Sequence, residues 1–237
     1  MNLTKNHLYL IPSTLGNTPL DSVLPDRNRK IINSLKTFIV EDTKSARRFL
    51  RKAGYKGGFE DITFHVYNEH SQVTDLAIIM NALSSEKDAG LLSDAGLPCV
   101  ADPGAEVVRE AHQKNIRITP LTGPSSIFLA LMASGFNGQN FAFNGYLPIG
   151  RSERIRKIKQ LETKIYKEDQ TQIFIEAPYR NRQLIEALIK ACHHDTRLCI
   201  ATDLTKETEY IRTKKMAAWK KGLPDIHKRP TVFLLYK

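Results

Sequence analysis

Cysteine is scarce in this sequence. Its three copies, Cys99, Cys192 and Cys199, are odd in number and form no CxxC pair. That argues against a disulfide frame or a structural zinc site, and for a reducing, cytoplasmic compartment. Long apolar runs are missing too. Nothing approaches the roughly 18 apolar residues of a bilayer crossing, so no membrane partner is expected. The opening MNLTKNHLYL lacks a charged start ahead of a long apolar segment, so no secretory leader is read there. Three ligand signatures are also absent. No GxGxxG follows a strand-like run, no GxxxxGKS/T occurs, and there is no HExxH. A Rossmann dinucleotide site, a P-loop and a zincin-type metal site are therefore unsupported. The pair His193 and His194 stands at a helix end, where adjacent side chains diverge, and it is read as solvated, with no metal called for.

Acid is the charge in deficit. The 237 residues hold 35 Lys and Arg against 25 Asp and Glu, a net charge of +10. A basic surface suits a polyanion such as RNA or an anionic small molecule, although solubility alone also accounts for it. With 41% hydrophobic and 25% charged residues the composition is that of a globular protein. Strand-length apolar runs recur at 8–12, 38–41, 62–67, 90–93 and 116–121. Helical patterns at 29–35, 45–53, 73–83 and 106–113 separate most of them. This alternation predicts a parallel sheet with helices on both faces, and ligands at the C-terminal ends of its strands. The pattern changes near Leu121. A helix follows with Ser125 or Ser126 as its cap and Gly135 as its stop. Then come strands at 141–147, 172–175, 198–202, 209–212 and 231–236, with helices at 152–164, 180–191 and 216–219. The expected architecture is two α/β domains, 1–120 and 121–237, the second with a mixed sheet.

Three loops rich in Gly and Pro follow expected strands: 12–17, 93–104 and 122–126. Glycine lets a backbone approach a ligand closely and proline fixes loop shape, so three such loops on one rim favour a site over plain turns. The segment VEDTK puts Glu41 and Asp42 at the end of an apolar run. Adjacent strand residues face opposite sides, so only one of the two can enter a given cleft, and Asp42 could instead cap the next helix. Asn68 similarly ends the following strand, as a substrate contact or a turn residue. Basic residues cluster at 44–56, 151–159 and 214–221. The first two runs lie beside candidate loops and could meet phosphates.

At SDAGLPCVADPG the sequence resembles the tetrapyrrole methylase superfamily, the class III S-adenosylmethionine-dependent methyltransferases. Within it, the chain is most similar to the branch that methylates cytidine 2'-hydroxyls of small-subunit ribosomal RNA. LYLIPSTLGN resembles that branch's apolar strand followed by Pro-Thr-Pro-Ile-Gly-Asn. VEDTK, YNEH, LTGPSS, GYLP, IEAPYR and ATDLTKETEYI each match a family segment in order. The resemblance implies a homodimer and a donor held in an interdomain cleft. Carried over by position, the donor contacts are Gly96, Leu97 and Val100, then Ser125, Ser126 and Ile127, then Ile175, Glu176, Leu204 and Pro230. Departures are Leu97 for the usual Thr, Lys44 for Arg, Tyr179 for His, and Arg229-Pro230 for Gly-Glu. The chain also ends at the last strand, without the branch's small C-terminal helical domain.

A ribose hydroxyl is a poor nucleophile near neutral pH and needs a base. Glu41, Asp42, Asp102 and Glu176 are the candidate carboxylates, with Asp102 also a candidate cap for the helix after Gly104. Asn17, Lys44, Arg47, Asn68 and Arg180 are candidates for holding substrate RNA, and the chemistry requires no metal. Two other readings stay open: a methylase of a tetrapyrrole or other small molecule, and a noncatalytic RNA-binding protein retaining the fold.

Overall fold

Short apolar strands, two of them buried at every position, build the first sheet. The computed structural model describes residues 6–84 and 88–237; the first five residues, part of the start read for a leader, lie outside it. Strands β1 (His7–Ile11), β2 (Thr37–Val40), β3 (Thr63–Val66), β4 (Ala89–Leu92) and β5 (Arg117–Pro120) form one sheet in the order β3-β2-β4-β1-β5. Every neighbouring pair is parallel. Helices α1 (Asp26–Ser34), α2 (Thr43–Lys52), α3 (Val73–Ser84) and α4 (Ala105–Gln113) are the crossovers.

The period of two is visible in the packing. Phe38 and Val40 join a core with Ile32 of α1 and Phe49 and Leu50 of α2. Between them in sequence, Ile39 joins the opposite core with Ile79 of α3 and Val107 of α4. Both faces are therefore covered, as a parallel sheet requires. Each large apolar side chain buried this way contributes about 1.5–3 kcal/mol.

The second sheet is mixed. It holds β6 (Phe141–Tyr146), β7 (Thr171–Ile175), β8 (Arg197–Thr202), β9 (Tyr210–Lys215) and β10 (Thr231–Tyr236) in the order β6-β7-β10-β8-β9. Only the β6–β7 pair is parallel; β10 runs antiparallel to β7 and β8, and β8 to β9. Helix α5 (Ser126–Ser134) packs against β8, β9 and β10. Helices α6 (Arg151–Glu168), α7 (Asn181–Ala191) and α8 (Met216–Trp219) share a core with Phe174, Ile200 and Phe233. Trp219 is buried there, and its indole N–H donates to the Leu198 carbonyl at 3.0 Å.

By internal contacts the chain divides into two units, Met1–Ser125 and Ser126–Lys237. Among the described residues no helix is long and apolar enough to cross a membrane.

Candidate functional site

In a parallel sheet every strand ends on the same edge, so the loops after β1, β4 and β5 share one rim. The Ser13 N–H donates to the Gly96 carbonyl at 2.9 Å, joining the first loop to the second. Gly123 brings the third loop onto the first, since a Cβ there would stand 2.3 Å from Pro12. The second loop is tightly curled. Gly96, Cys99, Ala101 and Gly104 all have left-handed backbone, with φ of 80°, 65°, 63° and 117°. Two non-glycine residues in that region carry a conformational cost that loops usually bear at functional sites.

Three carboxylates gather on this rim. Glu41 follows β2 and is half-buried; its carboxylate accepts from the Asp94 N–H at 3.4 Å. Burial, and then the Asp102 charge, push the Glu41 acid up to about 7. Burial also raises the acids of Asp94 and Asp102. Asp102 accepts a hydrogen bond from the Ser93 hydroxyl. The thiol of Cys99 is pushed up to about 11 by burial and by Asp102. Leu97 is partly buried and Val100 is exposed.

Alongside lies a cavity of about 430 Å³, walled by the 13–17 loop, by Asp94 and Ala95, and by one face of α2. Ser45, Arg48, Phe49 and Lys52 make up that face. Lys52 donates to the Asn17 side-chain oxygen at 3.5 Å.

In the second unit the carboxylates that follow β7 and β8 each have a cationic partner in the same unit. Glu176 follows β7 with its side chain fully buried, and one of its oxygens accepts from Arg180 Nε and Nη2 at 2.8 and 2.6 Å. Asp203 follows β8 and is bridged by Lys206 at 2.8 Å and Arg229 at 2.7 Å. Burial alone would raise the Asp203 acid, but hydrogen bonds from Lys206, Arg229 and Thr208 outweigh it and hold the acid low. The Asp203 N–H donates to the Pro230 carbonyl at 2.9 Å, and Leu204 beside it is buried. Ile127 is buried on α5, and Ile175 is partly buried at the end of β7.

A family description of the tetrapyrrole (corrin/porphyrin) methylases matches residues 8–218. The chain belongs to the tetrapyrrole methylases. A Vibrio cholerae protein named ribosomal RNA small subunit methyltransferase I is 30% identical over 210 residues, 89% of this chain and 69% of that one. A Bacillus subtilis protein of the same name is 32% identical over 209 residues, 86% of this chain and 66% of that one. Solved structures show the same fold. The methyltransferase CobJ superposes with a TM-score of 0.63 at 14% identity, covering 98% of this chain and 93% of that one. A uroporphyrin-III C-methyltransferase from Thermus thermophilus, complexed with S-adenyl homocysteine, gives 0.57 at 13% identity, covering 98% and 97%.

Within this methylase several expected roles are reassigned by geometry. Asp42 caps α2, accepting from the Ser45 N–H at 2.7 Å, so it is removed from the acid–base set. Asp102 was a candidate cap, yet Gly104 caps α4 without a side-chain bond, which leaves Asp102 to Ser93. Asn68 closes a turn, accepting from the His70 N–H at 3.0 Å, and its amide reaches the Glu41 carbonyl at 3.5 Å. Arg180 is turned onto Glu176 and is not free for a phosphate. Arg47 lies over the rings of Phe59 and Phe64, at 5.7 and 5.6 Å. His193 and His194 do not diverge. Their ring centroids are 4.0 Å apart, and with Asp195 they could reach one ion; Asp195 is bridged by Lys215 at 2.7 Å. Arg48 and Lys52 belong to the basic run at 44–56 that sequence reasoning sets beside the loops, but it does not single them out as substrate contacts. The signal was there: positions 45, 48, 49 and 52 repeat at helical spacing and share a face.

Proposed function

We propose that this methylase transfers a methyl group from S-adenosylmethionine to a ribose 2'-hydroxyl of small-subunit ribosomal RNA, in the cytoplasm and as a homodimer. One observation carries the chemistry: Glu41 holds its proton with an affinity near neutrality, on a rim of curled backbone. A base is most effective when its pKa lies near the working pH. The names of the Vibrio and Bacillus relatives favour ribosomal RNA, and the net charge of +10 suits a polyanion.

The rim fits the donor. S-adenosylmethionine, when bound, supplies an electrophilic methyl on a positively charged sulfur. Glu41, Asp94 and Asp102 offer that charge a surround of carboxylates, and Leu97 and Val100 offer apolar surface. Gly96, Leu97, Val100 and Ser125 of the first unit, and Ser126, Ile127, Ile175, Leu204 and Pro230 of the second, are the proposed donor contacts. Glu41 accepts the proton of the acceptor hydroxyl as the oxygen–carbon bond forms, while the electron pair of the carbon–sulfur bond stays on sulfur. The Asp94 N–H orients the Glu41 carboxylate, and Ser93 orients Asp102. Transfer is an in-line displacement, so alignment is the main demand on these residues. Asn17 and Lys44 are kept as RNA contacts.

The test is transfer of a labelled methyl group to small ribosomal subunits, with a tetrapyrrole as the competing acceptor. Label in the RNA at a ribose is the expected result. Label in the tetrapyrrole alone, or no heat on titrating donor into protein, overturns the proposal. Sedimentation at micromolar concentration tests the dimer.

A further inference from the structure

The α2 cavity holds more cationic chemistry than the methyl transfer step uses. Arg48 and Lys52, four residues apart, stand on its wall. Their hydrogen bonds go to neutral groups: Arg48 to the Ser45 hydroxyl at 3.3 Å and Lys52 to Asn17 at 3.5 Å. On the loop side, Ser13 is only 3% exposed, and its hydroxyl has no hydrogen-bond partner. A buried hydroxyl without a partner carries a desolvation cost that a ligand acceptor would offset. Asp94 also lines the cavity, and its own N–H holds the Glu41 carboxylate.

We propose that this cavity is a subsite for one phosphodiester of the acceptor strand, held by Arg48, Lys52 and the Ser13 hydroxyl. The proposal rests on the RNA reading above and names the contact that aligns the strand. Asp94 on the lining and Asp42 at the start of α2 both act on Arg48, so the site suits a monoanionic diester better than a dianionic free phosphate. Asp94 repels the phosphate from the Glu41 side, so the charge settles toward α2 and the sugar toward the base. Arginine and lysine contacts of this kind position a backbone without reading sequence.

The experiment measures binding of a fluorescent small-subunit RNA fragment to the full chain by anisotropy. It uses the natural fragment and a series carrying one neutral methylphosphonate linkage at each position in turn. The double variant Arg48→Ala, Lys52→Ala is compared with Lys220→Ala, Lys221→Ala, which removes the same charge elsewhere. The cavity variant should bind about tenfold more weakly, with a salt slope shallower by between one and two. The control pair should change little. One neutral linkage should cost the wild type about as much as the double variant loses, and should cost that variant nothing further. Equal losses in wild type and variant at every linkage, or an equal loss in the control pair, overturn the subsite. Inorganic phosphate that competes as well as the RNA also overturns the diester assignment. Methyl transfer is scored separately. Coupling without transfer sinks the ribose reading and keeps the subsite, and transfer without coupling does the reverse.

Discussion

Three acidic residues in this methylase occupy the same structural position, immediately after a strand. Glu41 follows β2, Glu176 follows β7 and Asp203 follows β8. Their fates differ by unit. In the first unit Glu41 is surrounded by Asp94 and Asp102, and its acid rises to about 7. In the second, Glu176 is bound by Arg180, and Asp203 by Lys206 and Arg229. Position within an α/β fold thus sets where an acid stands, and its neighbours set whether it is reactive or structural. Burial, and then the Asp102 charge, raise the Glu41 acid, whereas Glu176 and Asp203 are held in ion pairs.

The strongest challenge to this contrast is Glu41→Gln. It should lower methyl transfer by about 10²–10⁴-fold and abolish the acidic limb expected near pH 7 in the kcat/KM profile of the wild type. Folding carries the opposite sign. An acid held above its ordinary value of 4.5 penalises the fold as pH rises through that value toward 7, and not below it. Glu41→Gln should therefore raise Tm at pH 8 and leave it unchanged at pH 4. A variant with normal transfer would remove Glu41 from catalysis.

Next in size is Arg180→Ala, which strands the buried Glu176 carboxylate and should cost about 3–5 kcal/mol in urea unfolding. Removing both partners together should cost less. If Arg180→Ala instead weakened only RNA binding, the second unit would not be the structural one.

Smaller again is Asp203→Asn, expected to lose about 1–3 kcal/mol at neutral pH, because Lys206 and Arg229 are partly solvated. The Asp203 acid sits below its ordinary value. Its contribution is present above that value, so the difference from wild type should vanish as pH falls through the lowered one. Smallest is Asp42→Ala, which removes an exposed cap. Thermal melting should show a slight fall in Tm, with methyl transfer close to wild type.

Much of this was legible in advance. Strand-length apolar runs alternating with helical patterns, and the Gly/Pro loops, locate the first sheet and its rim, and the Asp42 cap is among the alternatives. What escaped was direction. Whether Arg180 turns outward or onto Glu176 depends on a tertiary pocket that spacing does not encode. The basic run at 44–56 is expected to be helical, but which face meets the loops depends on tertiary packing, so spacing alone does not favour Arg48 and Lys52 over Lys44 and Arg47. Strand β9 extends through Lys215, beyond the expected end at Arg212, because pairing with β8 holds residues whose charge suggests solvent.

The burial of Trp219 has a spectroscopic consequence. It is the chain's single tryptophan, it lies in the core of the second unit, and Lys214 stands 4.7 Å above its ring. Indole emission therefore reports the melting of one half of the molecule, while far-ultraviolet dichroism reports both. Superimposed traces would mean that the halves unfold in a single cooperative transition. A lag between them would give each half its own stability from one sample, with no added label.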